Sequence, residues 1–133
     1  MPIENSSVLV DGTIAVTAGI NTALLTLGTN ENEKTLVLDD DSEFLSSTRI
    51  SFSTKRPKKS VSAPNGYTQE RNTVKLLVPR VLTNGNNTMD SVTVTVSSDV
   101  ETSDVAVQSM IVLATQLLSN SAYADFWKKQ SLG

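Results

Sequence analysis

The chain has 133 residues, a formal net charge of −3, 38% hydrophobic residues and neither cysteine nor histidine. That length suits one domain with its own core, and the missing residue types exclude disulfide frameworks, Cys/His zinc sites and catalysis by a thiol or an imidazole. With one Trp, two Tyr and three Phe, the core must be built from Val, Leu and Ile, and an apolar content this low suggests burial completed by oligomerisation.

Charge is segregated along the chain. Residues 1–48 sum to −7, residues 49–80 to +7 and residues 81–133 to −3. The middle block holds Arg49, Lys55, Arg56, Lys58, Lys59, Arg71, Lys75 and Arg80 against Glu70 alone. A basic block in an acidic chain has two readings, an anionic partner met on one face or a solvated loop with unpaired charge. The opening Met1-Pro2-Ile3-Glu4 lacks the basic and apolar regions of a secretory signal. No apolar run approaches the roughly 18 residues of a membrane helix. Synthesis and use in the cytoplasm, away from membranes, are expected.

The predicted elements divide residues 1–133, read as a single domain, into an N-terminal hairpin (1–19), sheet strands (23–97) and helices (102–129). Ser6–Val10 and Thr13–Thr17 flank Asp11-Gly12, a two-residue hairpin signal. Ala23–Leu27, closed by Gly28, and Thr35–Leu38 read as strands on either side of a polar turn at Thr29–Lys34. Asp39-Asp40-Asp41 with Glu43 suggests either a calcium loop or a solvated acidic turn. It lacks the glycine and ligand spacing of an EF-hand. Thr48–Lys55 alternates, with Ile50 and Phe52 on one side and Arg49, Ser51, Ser53 and Lys55 on the other.

Arg56–Arg71 reads as a loop, with Pro57, Pro64 and an Asn65-Gly66 turn. Lys58 and Lys59 are its phosphate-reaching side chains. Tyr67 is either a stacking partner or an aromatic pinned against its own loop. Asn72–Leu82 is the longest strand, with Val74, Leu76 and Val78 on one face and Thr73, Lys75 and Leu77 on the other. Pro79 has no amide hydrogen and belongs where the ladder ends or at an edge. After a turn at Thr83–Thr88 with Asn84-Gly85 at its tip, Ser91–Val96 returns, placing Val92, Val94 and Val96 opposite Ser91, Thr93 and Thr95.

Helix is expected only at the end. Thr102, Ser103 and Asp104 offer N-cap chemistry to a helix running to Leu118. Val105 and Val112, seven residues apart, fall outside its main apolar arc and suggest a second contact with a partner chain. A short helix at Ala122–Lys129 aligns Tyr123, Phe126 and Trp127 as an anchoring patch. No Gly-rich phosphate loop is present, and the carboxylate cluster lies in a turn without an apolar pocket to tune it. Neither an enzyme, a metal nor a cofactor is expected.

Thr73-Val74-Lys75-Leu76-Leu77-Val78-Pro79-Arg80-Val81, preceded by Arg49–Lys55 and followed by Ser91–Val96 and the helix at Thr102–Leu118, resembles an ordered set of segments in the coat proteins of single-stranded RNA bacteriophages, the leviviruses. The resemblance covers residues 44–120 by pattern and the N-terminal third by architecture. It implies an α+β fold, with an N-terminal β-hairpin and an antiparallel sheet followed by two C-terminal helices. Two such subunits would interlock as a homodimer, and dimers would assemble into an icosahedral capsid enclosing genomic RNA in a virion made in the bacterial cytoplasm.

By position, Arg49, Ser51, Ser53, Lys55, Thr73, Lys75 and Thr93 match the family's RNA-facing residues. A replicase-start RNA hairpin, whose binding represses translation, is the implied operator. Ser91 stands where a stacking Tyr is often found. Val105 and Val112 would serve the dimer interface, and Asn84-Gly85 would mark the loop where dimers meet. The competing reading is a β-rich pilus, tail or adhesion subunit without RNA binding.

Overall fold

A computed structural model describes residues 7–13, 15–38 and 46–132. It divides the chain into two compact units, residues 19–100 and residues 1–18 with 101–133. The acidic turn at Asp39–Asp41 and Glu43, with its calcium reading, lies outside the described residues.

The first unit is an antiparallel sheet of five strands in the order β1-β2-β3-β4-β5. The strands are β1 (Leu24–Thr29), β2 (Glu33–Leu38), β3 (Arg49–Lys55), β4 (Glu70–Val81) and β5 (Asn87–Ser98). The alternation in β3, β4 and β5 is what a two-residue side-chain period requires of a sheet with two chemically different faces. Pairing of β4 with β3 ends at Arg49↔Leu77. Pro79 lies two residues beyond, where β4 pairs with β5 alone, so the ladder to β3 loses no donor to it.

β5 is longer than the expected Ser91–Val96. β4 supplies backbone partners from Val81↔Asn87 through Glu70↔Ser98, which carries the polar Asn87–Asp90 segment into the sheet. β1 does not close at Gly28. Its register shifts between Thr26, opposite Leu36, and Gly28, opposite Thr35, so Leu27 is the extra residue of a bulge and Gly28 still pairs. The turn into β2 is correspondingly shorter, with the Asn30 N–H donating to the Glu33 carbonyl at 2.8 Å and the Asn32 N–H to Asn30 Oδ1 at 3.0 Å.

The second unit is built on α1 (Asp104–Ser119). Ser103 caps it, its Oγ accepting the Ala106 N–H at 3.2 Å. Asn120 ends α1, and its Oδ1 accepts the Ala122 N–H at 3.0 Å to start a single 3-10 turn, Ser121–Tyr123. α2 (Ala124–Lys129) follows directly. Trp127 Nε1 donates to the Leu117 carbonyl at 2.8 Å, satisfying one of the acceptors that every helix end leaves open. Phe126 meets Trp127 edge-on, with ring centroids 4.8 Å apart.

The N-terminal hairpin is where expectation and structure differ. The turn at Asp11-Gly12 forms, with Asp11 at φ 57°, but the described residues flanking it form no strand. The Leu9 peptide is held on both sides by one side chain, its N–H donating to Gln116 Oε1 at 2.7 Å and its carbonyl accepting from Gln116 Nε2 at 2.8 Å. Backbone groups that a ladder would need are thus satisfied by α1 instead. Ser109 Oγ to Asp11 Oδ1 (3.5 Å) and Tyr123 OH to the Ser7 carbonyl (3.4 Å) continue the seam. Val112 and Tyr123 are the hydrophobic residues that become buried among those described.

Candidate nucleic-acid interface

Register decides which side chains share a face. Across β2, β3, β4 and β5 the aligned rows are Thr35–Ser51–Lys75–Thr93 and Glu33–Ser53–Thr73–Thr95. One further row is Val37–Arg49–Leu77–Ser91, and another, across β3 to β5, is Lys55–Arg71–Ser97. All of these residues lie on one face, because successive side chains alternate and paired residues share a side. The contact of Thr73 Oγ1 with Thr95 Oγ1 at 3.1 Å is a direct consequence of that alignment.

Arg49, Ser51, Ser53, Lys55, Thr73, Lys75 and Thr93 are therefore brought together on a lattice whose strands are about 4.8 Å apart. Lys55, Lys75 and Thr93 are exposed, and Arg49, Ser51, Ser53 and Thr73 are half-buried. The face also holds two polar groups that the sequence reading did not single out as site residues. Arg71 pairs with Lys55 in register and Thr95 with Thr73. Counting back in twos from Lys75 and forward in twos from Thr93 would have found both. Glu33 is the one acid in these rows, placed beside Ser53 at the margin of the cationic positions.

Lys58 and Lys59 are not on this face. They belong to a small irregular hairpin between β3 and β4, closed by Thr68 N–H to the Lys58 carbonyl (2.8 Å), Lys58 N–H to Thr68 Oγ1 (2.9 Å) and a bridge pairing Lys59 with Tyr67. Asn65 Nδ2 ties the hairpin to the end of β5 through Asp99 Oδ1 at 2.6 Å. Both lysines are exposed, so the hairpin offers cations outside the strand rows. Tyr67 is 41% exposed, and its backbone, through the Asn65 Oδ1 contact at 3.2 Å, is part of the turn.

The opposite face of the sheet is apolar at its centre. Its rows are Leu36–Ile50–Leu76–Val92 and Lys34–Phe52–Val74–Val94, with Thr54–Asn72–Val96 beyond them, so Lys34, Thr54 and Asn72 make one margin polar. Phe52, Val74 and Val92 remain 42%, 38% and 49% exposed. A depression of about 470 Å³ opens there, with Phe52, Val74, Val94 and Val96 as its apolar lining and the β1–β2 turn beside them. On α1, Val105 is 80% exposed, whereas Val112 is 7% exposed. Of the two valines read as a partner contact, Val105 is open and Val112 is already buried within the single chain. Asn84-Gly85 forms the tip between β4 and β5, with Gly85 at φ 83°.

Among the described residues no group of three or more acidic side chains is placed to hold a metal ion.

No family model matches the sequence, and no curated protein does. Solved structures do match. The subunit of a virus-like particle of bacteriophage GQ-907 superposes with a TM-score of 0.86 at 21% identity, over 98% of this chain and 99% of that one. The subunit from a virus-like particle of bacteriophage AVE019 gives 0.67 at 11% identity over 90% and 95%. That of Beihai levi-like virus 21 gives 0.65 at 18% identity over 89% and 93%. Five antiparallel strands followed by two C-terminal helices are the fold that this chain shares with them, and the resemblance read in the sequence holds at that level.

Proposed function

From a fold shared over nearly its whole length with virus-like-particle subunits, we propose that this chain is the coat protein of a single-stranded RNA bacteriophage, a structural subunit and not an enzyme. The observation that carries the reading is the 0.86 superposition covering 98% of the chain. Two features of the molecule support it independently.

The first is unfinished burial. The accessible surface is 10321 Å² for 14.3 kDa, about half as much again as the roughly 6,800 Å² expected of a folded monomer of that mass. Phe52, Val74, Val92 and Val105 are among the large apolar side chains left exposed, and clustered apolar exposure is what marks a protein interface. The proposed partner is a second copy. β5 is an edge of the sheet, twelve residues long, and an open edge of that length is a template for pairing with its symmetry mate. The partner's helices would then cover the Phe52–Val74–Val94 face, with Val105 at the interlock. Asn84-Gly85, at the far end of the same strands, would be the contact between dimers in the shell.

The second is the basic polar face. Cations at Arg49, Lys55, Arg71 and Lys75, interleaved with hydroxyls, suit phosphate and sugar contacts, which position a nucleic acid without reading its sequence. Packaging a genome requires this kind of contact, and the same face is the proposed seat of an operator hairpin. If a dimer neutralises about four phosphates of a single strand, the slope of roughly −0.7 per phosphate gives an approximately fifty-fold loss of affinity from 50 to 200 mM salt.

Expression of this chain alone in bacteria tests the proposal. Closed round particles in the micrographs, with nucleic-acid absorbance co-eluting from a sizing column, are the expected result. Monomers, or RNA-free fibres, would remove the reading. A flat salt response of RNA affinity would remove the RNA face while leaving the shell.

A further inference from the structure

The chain contains two Asn-Gly pairs, Asn65-Gly66 and Asn84-Gly85, and folds both into the same kind of turn. In each, the glycine N–H donates to the carbonyl three residues back, Gly66 to Ala63 at 3.2 Å and Gly85 to Leu82 at 2.9 Å. Both glycines have positive φ, 85° and 83°, where a Cβ would be strained. Each asparagine Oδ1 accepts the N–H two residues on, from Tyr67 at 3.2 Å and from Asn86 at 3.0 Å.

The turns differ at the side-chain nitrogen. Asn65 is half-buried, and its Nδ2 donates to the Asp99 carboxylate at 2.6 Å. Asn84 is exposed, and among the described residues its Nδ2 has no partner.

We propose that Asn84 is a self-modifying site that converts to aspartate or isoaspartate, while Asn65 is held as the amide by Asp99. The Gly85 backbone nitrogen attacks Cγ of Asn84. A bond forms between that nitrogen and Cγ, the Cγ–Nδ2 bond breaks, and the glycine amide proton leaves with the side-chain nitrogen as ammonia. Water then adds to either carbonyl of the five-membered succinimide and opens it to a carboxylate. No oxidant is involved, and water is the one co-reactant.

At Asn65 the same path must first give up the charge-assisted bond to Asp99, and it ends with a new carboxylate facing an existing one. The conversion at Asn84 places one extra negative charge on each β4–β5 tip. That this weakens association between copies rests on the coat-protein reading; the chemistry does not.

The test is to incubate the purified full chain in mildly alkaline buffer and locate amide-to-acid mass gains by peptide sequencing in a mass spectrometer. Asn84 should convert several-fold ahead of Asn65 in the folded protein, and the two should converge in denaturant. Asp99→Ala should raise the Asn65 rate toward that of Asn84 and leave Asn84 unchanged. Equal rates in the folded wild type, or an Asn65 rate unmoved by Asp99→Ala, would overturn the assignment. Asn84→Asp, compared with Asn84→Ser, reads the consequence: fewer particles from the aspartate variant alone are expected. Normal particles from Asn84→Asp alongside observed conversion would remove the effect on assembly and keep the site.

Discussion

The two faces of the sheet are made by the same strands in the same register, yet they ask for opposite partners. On one, Phe52, Val74 and Val92 stay about half in water, where each gains by being covered. On the other, Lys55, Lys75, Thr93 and Thr95 are exposed and already satisfied by solvent. Covering the apolar face releases free energy at roughly 25 cal/mol per Å², whereas covering the polar face with protein would strand cations. The difference assigns protein to the first face and an anion to the second, and substitutions can address each face separately.

The largest expected effect is from Val74→Asp. Val74 sits centrally between Phe52 and Val94 on the apolar face, and an unpaired carboxylate sealed there costs several kcal/mol. We expect small species on a sizing column and no particles in micrographs. Normal particles would mean that this face stays wet in the assembly. The helix offers a parallel contrast. Val112→Asp should lower the melting temperature of the chain itself, because that position is already buried within the single chain. Val105→Asp should leave the fold intact by circular dichroism and block pairing. An unchanged melting temperature for Val112→Asp would show that this position is open to water in the single chain.

Next in size is the double variant Arg49→Ala with Lys75→Ala. Removing two phosphate contacts per subunit should reduce the magnitude of the salt slope for RNA by about 1.4 for each subunit in contact, read from filter binding at several salt concentrations. Particle shape should persist. Loss of the particles with an unchanged salt slope would exchange the roles of the two faces.

Much of this contrast is legible in the sequence alone. Alternation in Arg49–Lys55, Thr73–Val78 and Val92–Val96 is strong because each strand separates β-branched or aliphatic residues from hydroxyls and cations. The Ser103 cap and the apolar content of α1 were equally plain. What escaped was set by distant backbone. Asn87–Asp90 has no alternation, and only the length of β4 draws it into β5. Gly28 reads as a stop but pairs with Thr35, the strand continuing past it after a bulge at Leu27. The Asp11-Gly12 signal is real as a turn, but the ladder expected around it loses Leu9 to the Gln116 amide, a partner 107 residues away. Arg71 reads as loop because strand ends are poorly marked in sequence; with β4 beginning at Glu70, Arg71 falls in register with Lys55.

The smallest effect is the most discriminating. Thr73→Val keeps the shape and strand preference of the residue and deletes one hydroxyl from the polar face. Thr73 bonds Thr95 across the strands at 3.1 Å, and at this surface position the stability change should stay within about 0.5 kcal/mol. RNA affinity should fall by an amount corresponding to one lost hydrogen bond, about 0.5–1.5 kcal/mol, with the salt slope unchanged because no charge is removed. Adding a methyl group to an apolar contact surface would do the reverse, leaving affinity alone and strengthening association between copies. A Thr73→Val protein that binds RNA normally but assembles more readily would therefore show that the face carrying Lys75 meets protein, and the assignment of partners to faces would have to be inverted.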